Sequence, residues 1–312
     1  MAAWVLLVCL KDTQASFLAS EFELIDLFQN IGSKYYKQNG IVISPGDDCA
    51  VFDFSKPVIT SVDASVVDVH FPSNANPEDI AYRSIAVALS DLAAMGCKPR
   101  AFSISLTSPI GDKDWYQGFS KGVEHIADEF QISLIGGDLT KGPLNINVIV
   151  YGSPYTDKVL KRNGARVGDY ICISSQVGRA AKGLDDWKDK NFESDFIQDY
   201  LRPIPKISLG NEIIDIASAC IDTSDGLLAD MKKIIEASNR GAEVYIDKIP
   251  YTRSINDINA GDDYDLCFTV SKENYLGHFI KIGLITDTQE IRLISDKGYD
   301  TDINGFDHFT NG

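Results

Sequence analysis

No Cys-x-x-Cys pair, no cluster of histidines and no apolar run of membrane-spanning length occurs in these 312 residues. The six cysteines, Cys9, Cys49, Cys97, Cys172, Cys220 and Cys267, lie far apart, and several sit inside apolar runs such as Tyr170-Ile171-Cys172-Ile173. That spacing excludes a zinc site or a disulfide framework and reads as buried free thiols in a reducing cytoplasm. Basic charge is also scarce: 29 Lys and Arg stand against 45 Asp and Glu, a formal net charge of −16. Nucleic acid and anionic membranes are therefore poor partners. The apolar stretch Ala2 to Leu10 is far short of a membrane span, and no Lys or Arg precedes Trp4, as a secretory leader would require. Residues 1–19 read as an unassigned extension on a cytoplasmic enzyme.

The common nucleotide and hydrolase motifs are missing too. Gly178 and Gly183 have the spacing of a phosphate loop, but Leu184 and Asp185 stand where Lys and Ser or Thr belong. No Gly-x-Gly-x-x-Gly follows a strand, and no Gly-x-Ser-x-Gly elbow appears. The segment from Asp222 to Gly226 is not an EF-hand loop, because its glycine comes one residue too early.

What the chain has is aspartate, in short clusters bounded by glycine or serine. They are Gly46-Asp47-Asp48, Ser61-Val62-Asp63, Ser90-Asp91, Gly136-Gly137-Asp138, Asp222-Thr223-Ser224-Asp225-Gly226 and Gly261-Asp262-Asp263. Carboxylates fixed on rigid elements and brought together repel unless hard cations hold them, and Mg²⁺ bridging to phosphate oxygens is the usual reason for such a site. Asp91 is the most informative, because it shares a helix face with Val87, Ala88, Ala94 and Met95. A carboxylate there is either a ligand or one half of a salt bridge, for instance to Arg83 or Lys98. Gly136-Gly137-Asp138 reads as a strand end aimed at a ligand, or as a plain turn. Asp222 to Gly226 opens a helix, so Ser224 or Asp225 serves as N-cap, and the same end offers free N–H groups to a phosphate.

Length favours two domains, and the stretch Gly152 to Asp157 is the boundary between residues 20–152 and 153–312. Periodicity predicts helices over 21–31, from Pro77 behind an Asn76 cap to Met95, over 115–130, over 204–217 and over 227–237. Strands are expected at 58–62, 102–107, 132–135, 144–150, 170–173, 219–221, 243–246, 264–270, 282–286 and 291–294. Strands and helices mix without regular alternation, so the fold class is α+β.

In this order the motifs resemble those of the thiamine-monophosphate kinases, within the wider superfamily of aminoimidazole ribonucleotide synthetase. The resemblance runs from Glu21-Phe22-Glu23-Leu24-Ile25 to Gly305-Phe306-Asp307-His308-Phe309, and its most specific stretch is Leu89-Ser90-Asp91-Leu92-Ala93-Ala94-Met95-Gly96. It implies a two-domain fold, a C-terminal domain of α/β type and a homodimer joined through the N-terminal domains. It also implies transfer of the γ-phosphoryl group of ATP onto thiamine monophosphate. By residue, it implies Mg²⁺ ligands at Asp48, Asp63, Asp91, Asp138, Asp222 and Asp225, with Ser61 and the backbone of Val62 assisting. ATP contacts fall at Gly137, Asp138, Arg162 and Ser224, and thiamine contacts at His70, Asp262 and Phe306; Asp138, Asp63 and Arg162 stand nearest the chemistry. Val62 replaces a threonine, Ala88 an asparagine, Leu139 a threonine, and Ala260 and Asp262 the usual Gly and Glu of that family. A phosphate monoester acceptor is already anionic, so the expected catalysis is positioning and charge neutralisation rather than strong base. Two other readings are another ATP-using member of the superfamily and a non-catalytic domain that binds divalent cations.

Overall fold

The computed structural model describes residues 19–43, 48–298, 303, 305 and 306. The extension is thus outside the described residues but for Ala19, whose N–H donates to the Gly111 carbonyl at 3.1 Å. Helix α1 (Glu21–Ile25) starts on a capping box between Ser20 and Glu23. It is shorter than the sequence predicts. Asn30 and Gly32 adopt left-handed angles, which no continuing α-helix admits, and only a 3-10 turn follows at Asp26–Phe28. A small ribbon of β1 (Ile41–Ile43) and β2 (Val51–Phe52) comes next.

The first large sheet holds β3 (Ile59–Val66), β4 (Cys97–Ser108), β5 (Ser133–Lys141) and β6 (Asn145–Pro154), in the order β3-β6-β4-β5. Only β4 and β5 run parallel, joined through α3 (Lys113–Phe130). Between β3 and β4 lies α2 (Pro77–Ala94), capped by the Asn76 side chain on the Glu78 N–H at 3.0 Å and ended at left-handed Gly96. Most of α2 is buried all round, as befits a helix packed between both halves of the molecule. Its neighbours include Phe102, Ile104, Leu106, Ile146, Val148 and Val150 on the inner face of the sheet. That apolar face is closed within the chain. The outer face, with Ser103, Ser105, Asn147 and Ile149 half-buried and Val62 65% exposed, is covered at one end by Phe52 of the ribbon against Tyr151 and is otherwise open.

The second sheet is six-stranded, built from β7 (Tyr170–Ile173), β8 (Ala217–Thr223), β9 (Gly241–Tyr245), β10 (Asp265–Val270), β11 (Ile280–Thr286) and β12 (Ile291–Ile294). Its order is β12-β9-β11-β7-β10-β8, antiparallel except for β9 and β12. One face packs on α7 (Leu227–Ala237) through Leu228, Met231 and Ile235, and the other joins the α2 core through Cys172, Cys220 and Phe268. Two helices, α4 (Arg179–Lys188) and α5 (Phe196–Leu201), have no counterpart in the sequence reading. The helix expected over 204–217 shrinks to α6 (Ile207–Ile213), since Pro203 and Pro205 hold its start extended and β8 begins at Ala217. The molecule is α+β, and no helix among the described residues is long and apolar enough to cross a membrane.

Candidate active site

Alternation along β3 puts Ser61 and Asp63 on the face that meets α2, while the Val62 side chain turns to the open face. Only the backbone of Val62 is therefore available to a ligand on the inner side. Ser61 donates its hydroxyl to the Asp91 carboxylate. Neither salt bridge expected for Asp91 is present. Arg83 pairs instead with Asp262, and Lys98 forms no ion pair with it. Asp222, the penultimate residue of β8, is 7% exposed; burial first and then the Asp91 charge push its carboxyl up to about 7. The same two causes, in the same order, raise Asp63 to about 6. β3, α2 and β8 thus bring Asp63 and Asp222 each within electrostatic reach of Asp91. Ser61, Asp91, Asp222 and Arg162 line one cavity of about 470 Å³.

A second group lies elsewhere. Asp48, Gly137 and Asp138 line a cavity of about 300 Å³ beside Ile25 and Phe28. Gly136-Gly137-Asp138 is neither a turn nor a strand end, because β5 runs on to Lys141. Phe102 pairs with Leu134 and Ile104 with Gly137, so Ile135 and Gly136 together oppose the single Ser103 in a β-bulge. A Cβ on Gly137 would sit 2.2 Å from the Ile104 carbonyl oxygen, which explains the glycine. Asp138 pairs with Ser105 and so belongs to the outer face. Asp63 and Asp138 therefore occupy opposite faces and opposite edges of the four-stranded sheet, roughly 14 Å apart across three strand spacings.

The loop after β8 differs from expectation. Its Ser224 and Asp225 N–H groups, which the sequence leaves open to a phosphate, both donate at 2.9 Å to the carboxylate of Asp230, 1% exposed. Gly226, not Ser224 or Asp225, is the N-cap residue of α7, with φ +122°. Lys233 completes the arrangement, at 2.6 Å from Asp225 and 2.7 Å from Asp230. Sequence reasoning missed both residues. The signal for Asp230 was an acid on the apolar stripe of α7, beside Leu227 and Met231 and opposite to the solvent. The loop is stitched to the next one by Asp262 N–H on the Ser224 carbonyl, 2.8 Å, which sets Ser224 against Asp262. Phe306 donates its N–H to the Asp225 carbonyl at 2.9 Å. His70 is held at its Nδ1 by the Val66 N–H, 3.1 Å. Asp47 and residues 307–309 lie outside the described residues.

Among the described residues no three His, Cys, Asp or Glu side chains form a ready-made metal cage. The donor set still fits Mg²⁺, an oxygen-seeking ion that keeps waters and takes one or two carboxylates together with substrate phosphates. Burial and the neighbouring Asp91 carboxylate penalise the charges of Asp63 and Asp222 and raise both pKa values, and a hard cation at the site would offset that penalty.

The family described as AIR synthase related protein, N-terminal domain, matches residues 46–153. A thiamine-monophosphate kinase of Buchnera aphidicola subsp. Schizaphis graminum is 37% identical over 321 residues, covering 93% of this chain and 99% of the relative. The crystal structure of thiamine-monophosphate kinase from Stenotrophomonas maltophilia K279a superposes with a TM-score of 0.79 at 32% identity, over 88% of this chain and 96% of that one. A further structure, AaThiL complexed with AMPPCP and TMP, gives a TM-score of 0.75 at 28% identity, over 93% and 97% of the two chains. With the fold, the motif order and this extent of identity in agreement, the chain belongs to the thiamine-monophosphate kinase family.

Proposed function

We propose that the protein transfers the γ-phosphoryl group of ATP to the phosphate of thiamine monophosphate, in line and with Mg²⁺, to give thiamine diphosphate. The observation that supports this reading is a cavity lined by Asp91, Asp222, Ser61 and Arg162, with Asp63 close enough to Asp91 for the two carboxylates to repel. The acceptor oxygen is already anionic, so the chain needs no strong base; it must hold two anions together. Arg162 offers a planar fork for a phosphate, and Ser224, Gly137 and Asp138 are the further nucleotide contacts. Asp48, Asp63, Asp91, Asp138, Asp222 and Asp225, helped by Ser61 and the Val62 backbone, hold the cations. Bound Mg²⁺ supplies charge neutralisation between donor and acceptor phosphates. His70, Asp262 and Phe306 take the thiamine moiety. The division into a metal and nucleotide domain over 20–152 and a substrate domain over 153–312, and a cytoplasmic setting, belong to the same reading.

A homodimer is part of the proposal. Asp48 and Asp138 stand across the sheet from Asp63, Asp91 and Asp222, and the outer face between them is largely open. A second copy laid on that face brings one group's edge to the other's. An assay of ADP release with thiamine monophosphate and Mg²⁺ tests the activity. ADP release that does not rise above the ATP-only background overturns it. Light scattering that gives a monomer mass at micromolar concentration overturns the pairing.

A further inference from the structure

The most deeply buried cation described in the protein has no part in the chemistry set out so far. Arg83, on α2, is 2% exposed. Its Nε donates to the His70 carbonyl at 2.9 Å, one Nη to the Tyr200 carbonyl, and the other Nη to Asp262 Oδ1 at 2.7 Å. The guanidinium also lies over the Tyr200 ring, 4.2 Å from its centroid, and 5.9 Å from that of Tyr264. Tyr200 adds a hydroxyl bond to the same His70 carbonyl at 3.0 Å. Burial works against the Arg83 charge, but Asp262 and the two tyrosines outweigh it and hold its pKa above the ordinary value.

We propose that Arg83 is a positioning residue for the thiamine subsite, fixing His70 from one half of the chain and Asp262 from the other in a single register. The inference rests on the proposed function and names what orients that site. Asp262 sits at a left-handed φ of 65° in a loop outside any helix or strand, so its side chain takes its direction from the partners it meets, Arg83 first. Arg83 ties down Asp262 Oδ1, and the Tyr264 hydroxyl also bonds the same carboxylate, so its direction is set from two sides. The fork is the essential property: three acceptors in different directions suit a rigid planar donor, whereas a lysine ammonium at the same place keeps the charge but not the geometry. Arg83 does not touch the nucleotide cavity lined by Arg162 and Asp222.

The test is steady-state kinetics on full-length Arg83→Lys, Arg83→Met and Tyr200→Phe, each with a melting curve. Arg83→Lys is expected to fold and to raise KM for thiamine monophosphate by about tenfold or more, with KM for ATP within about twofold. Tyr200→Phe, which loses one hydroxyl, should move the same KM in the same direction by less and keeps the test open if Arg83→Met does not fold. An unchanged KM for thiamine monophosphate in Arg83→Lys, equal shifts for both substrates, or a loss confined to kcat would overturn the inference and leave a plain structural ion pair. If the wild-type protein releases no ADP with thiamine monophosphate, the functional reading fails and takes this inference with it. If the wild type turns over and only the split is missing, this inference fails alone.

Discussion

Two acid clusters flank the end of β8, and they solve the same electrostatic problem in opposite ways. Around Asp225, the chain brings its own cation: Lys233 bridges Asp225 and the buried Asp230, and Asp230 in turn holds the two loop N–H groups. Around Asp91, no lysine or arginine forms an ion pair with Asp63, Asp91 or Asp222 among the described residues, and both Asp63 and Asp222 are pushed toward neutrality. One cluster is neutralised by the fold itself. The other keeps a repulsion that the field of Arg83 at Asp63 offsets only in part and that an external cation or a proton relieves. The comparison separates Asp230, which shapes a loop, from Asp63, Asp91 and Asp222, kept ready for a ligand, while Asp225 stands between them and takes a metal only by giving up Lys233.

The largest effect expected from breaking this contrast is on turnover. Asp91→Asn should lower kcat by about a hundredfold or more while the protein stays folded, since a ligand is lost and a repulsive charge goes with it. Its melting temperature in chelator should be equal to wild type or higher; near-normal turnover in ADP release would erase the difference between the clusters. Lys233→Met should do the reverse, acting first on stability. It strands the Asp230 carboxylate without its cation, and because Lys233 is itself partly exposed the loss should be about 2–3 kcal/mol. Urea unfolding reads this, and Lys233→Met combined with Asp230→Asn should recover part of it. A neutral outcome for Lys233→Met alone would mean that water already screens the pair.

The smallest expected effect is a pH slope. Asp222 at about 7 and Asp63 at about 6 lie above the ordinary value of 3.8, so the folded state binds those protons more tightly than the unfolded chain does. Their contribution to stability is complete below the ordinary pKa and is lost as pH climbs through the raised ones. In chelator, the melting temperature should fall between about pH 4 and about pH 7, and Asp222→Asn should flatten the fall. Excess Mg²⁺ should oppose it at the upper end of the range. A melting temperature that stays level across this window in chelator would contradict the repulsive state.

Much of this was legible in the sequence where the signal was local. Asn76, Pro77 and Gly96 mark both ends of α2, and α7 and β12 fall on their expected residues. Where the deciding partner was remote, the sequence was silent. The N–H groups at the start of α4 are met by Asp263, 85 residues away from Gly178, so no cap stands in front of that helix to announce it. The same holds for Arg83, which in sequence is one more cation on a helix and in the fold is an interior clamp between distant loops. Asp91 was readable because an acid on an apolar face is anomalous on its own terms. That it engages Ser61 rather than a cation depended on where β3 lands.

The bulge in β5 makes the polarity of one sheet edge a matter of counting. Gly136 has open space where a Cβ would be, so replacing it with alanine meets no obstacle. Flattening the bulge is another matter. With Ile135 and Gly136 each paired in turn, every later side chain would change sides, Asp138 turning inward to the Ile104 and Leu106 row and Leu139 out into water, whereas deleting Gly136 restores one-to-one pairing and keeps those faces. Gly137 carries the opposite liability, since the Ile104 carbonyl leaves no room for any side chain there. The two adjacent glycines are thus under different rules: one belongs to the bulge and need not be glycine, and the other must be glycine because a carbonyl lies against it.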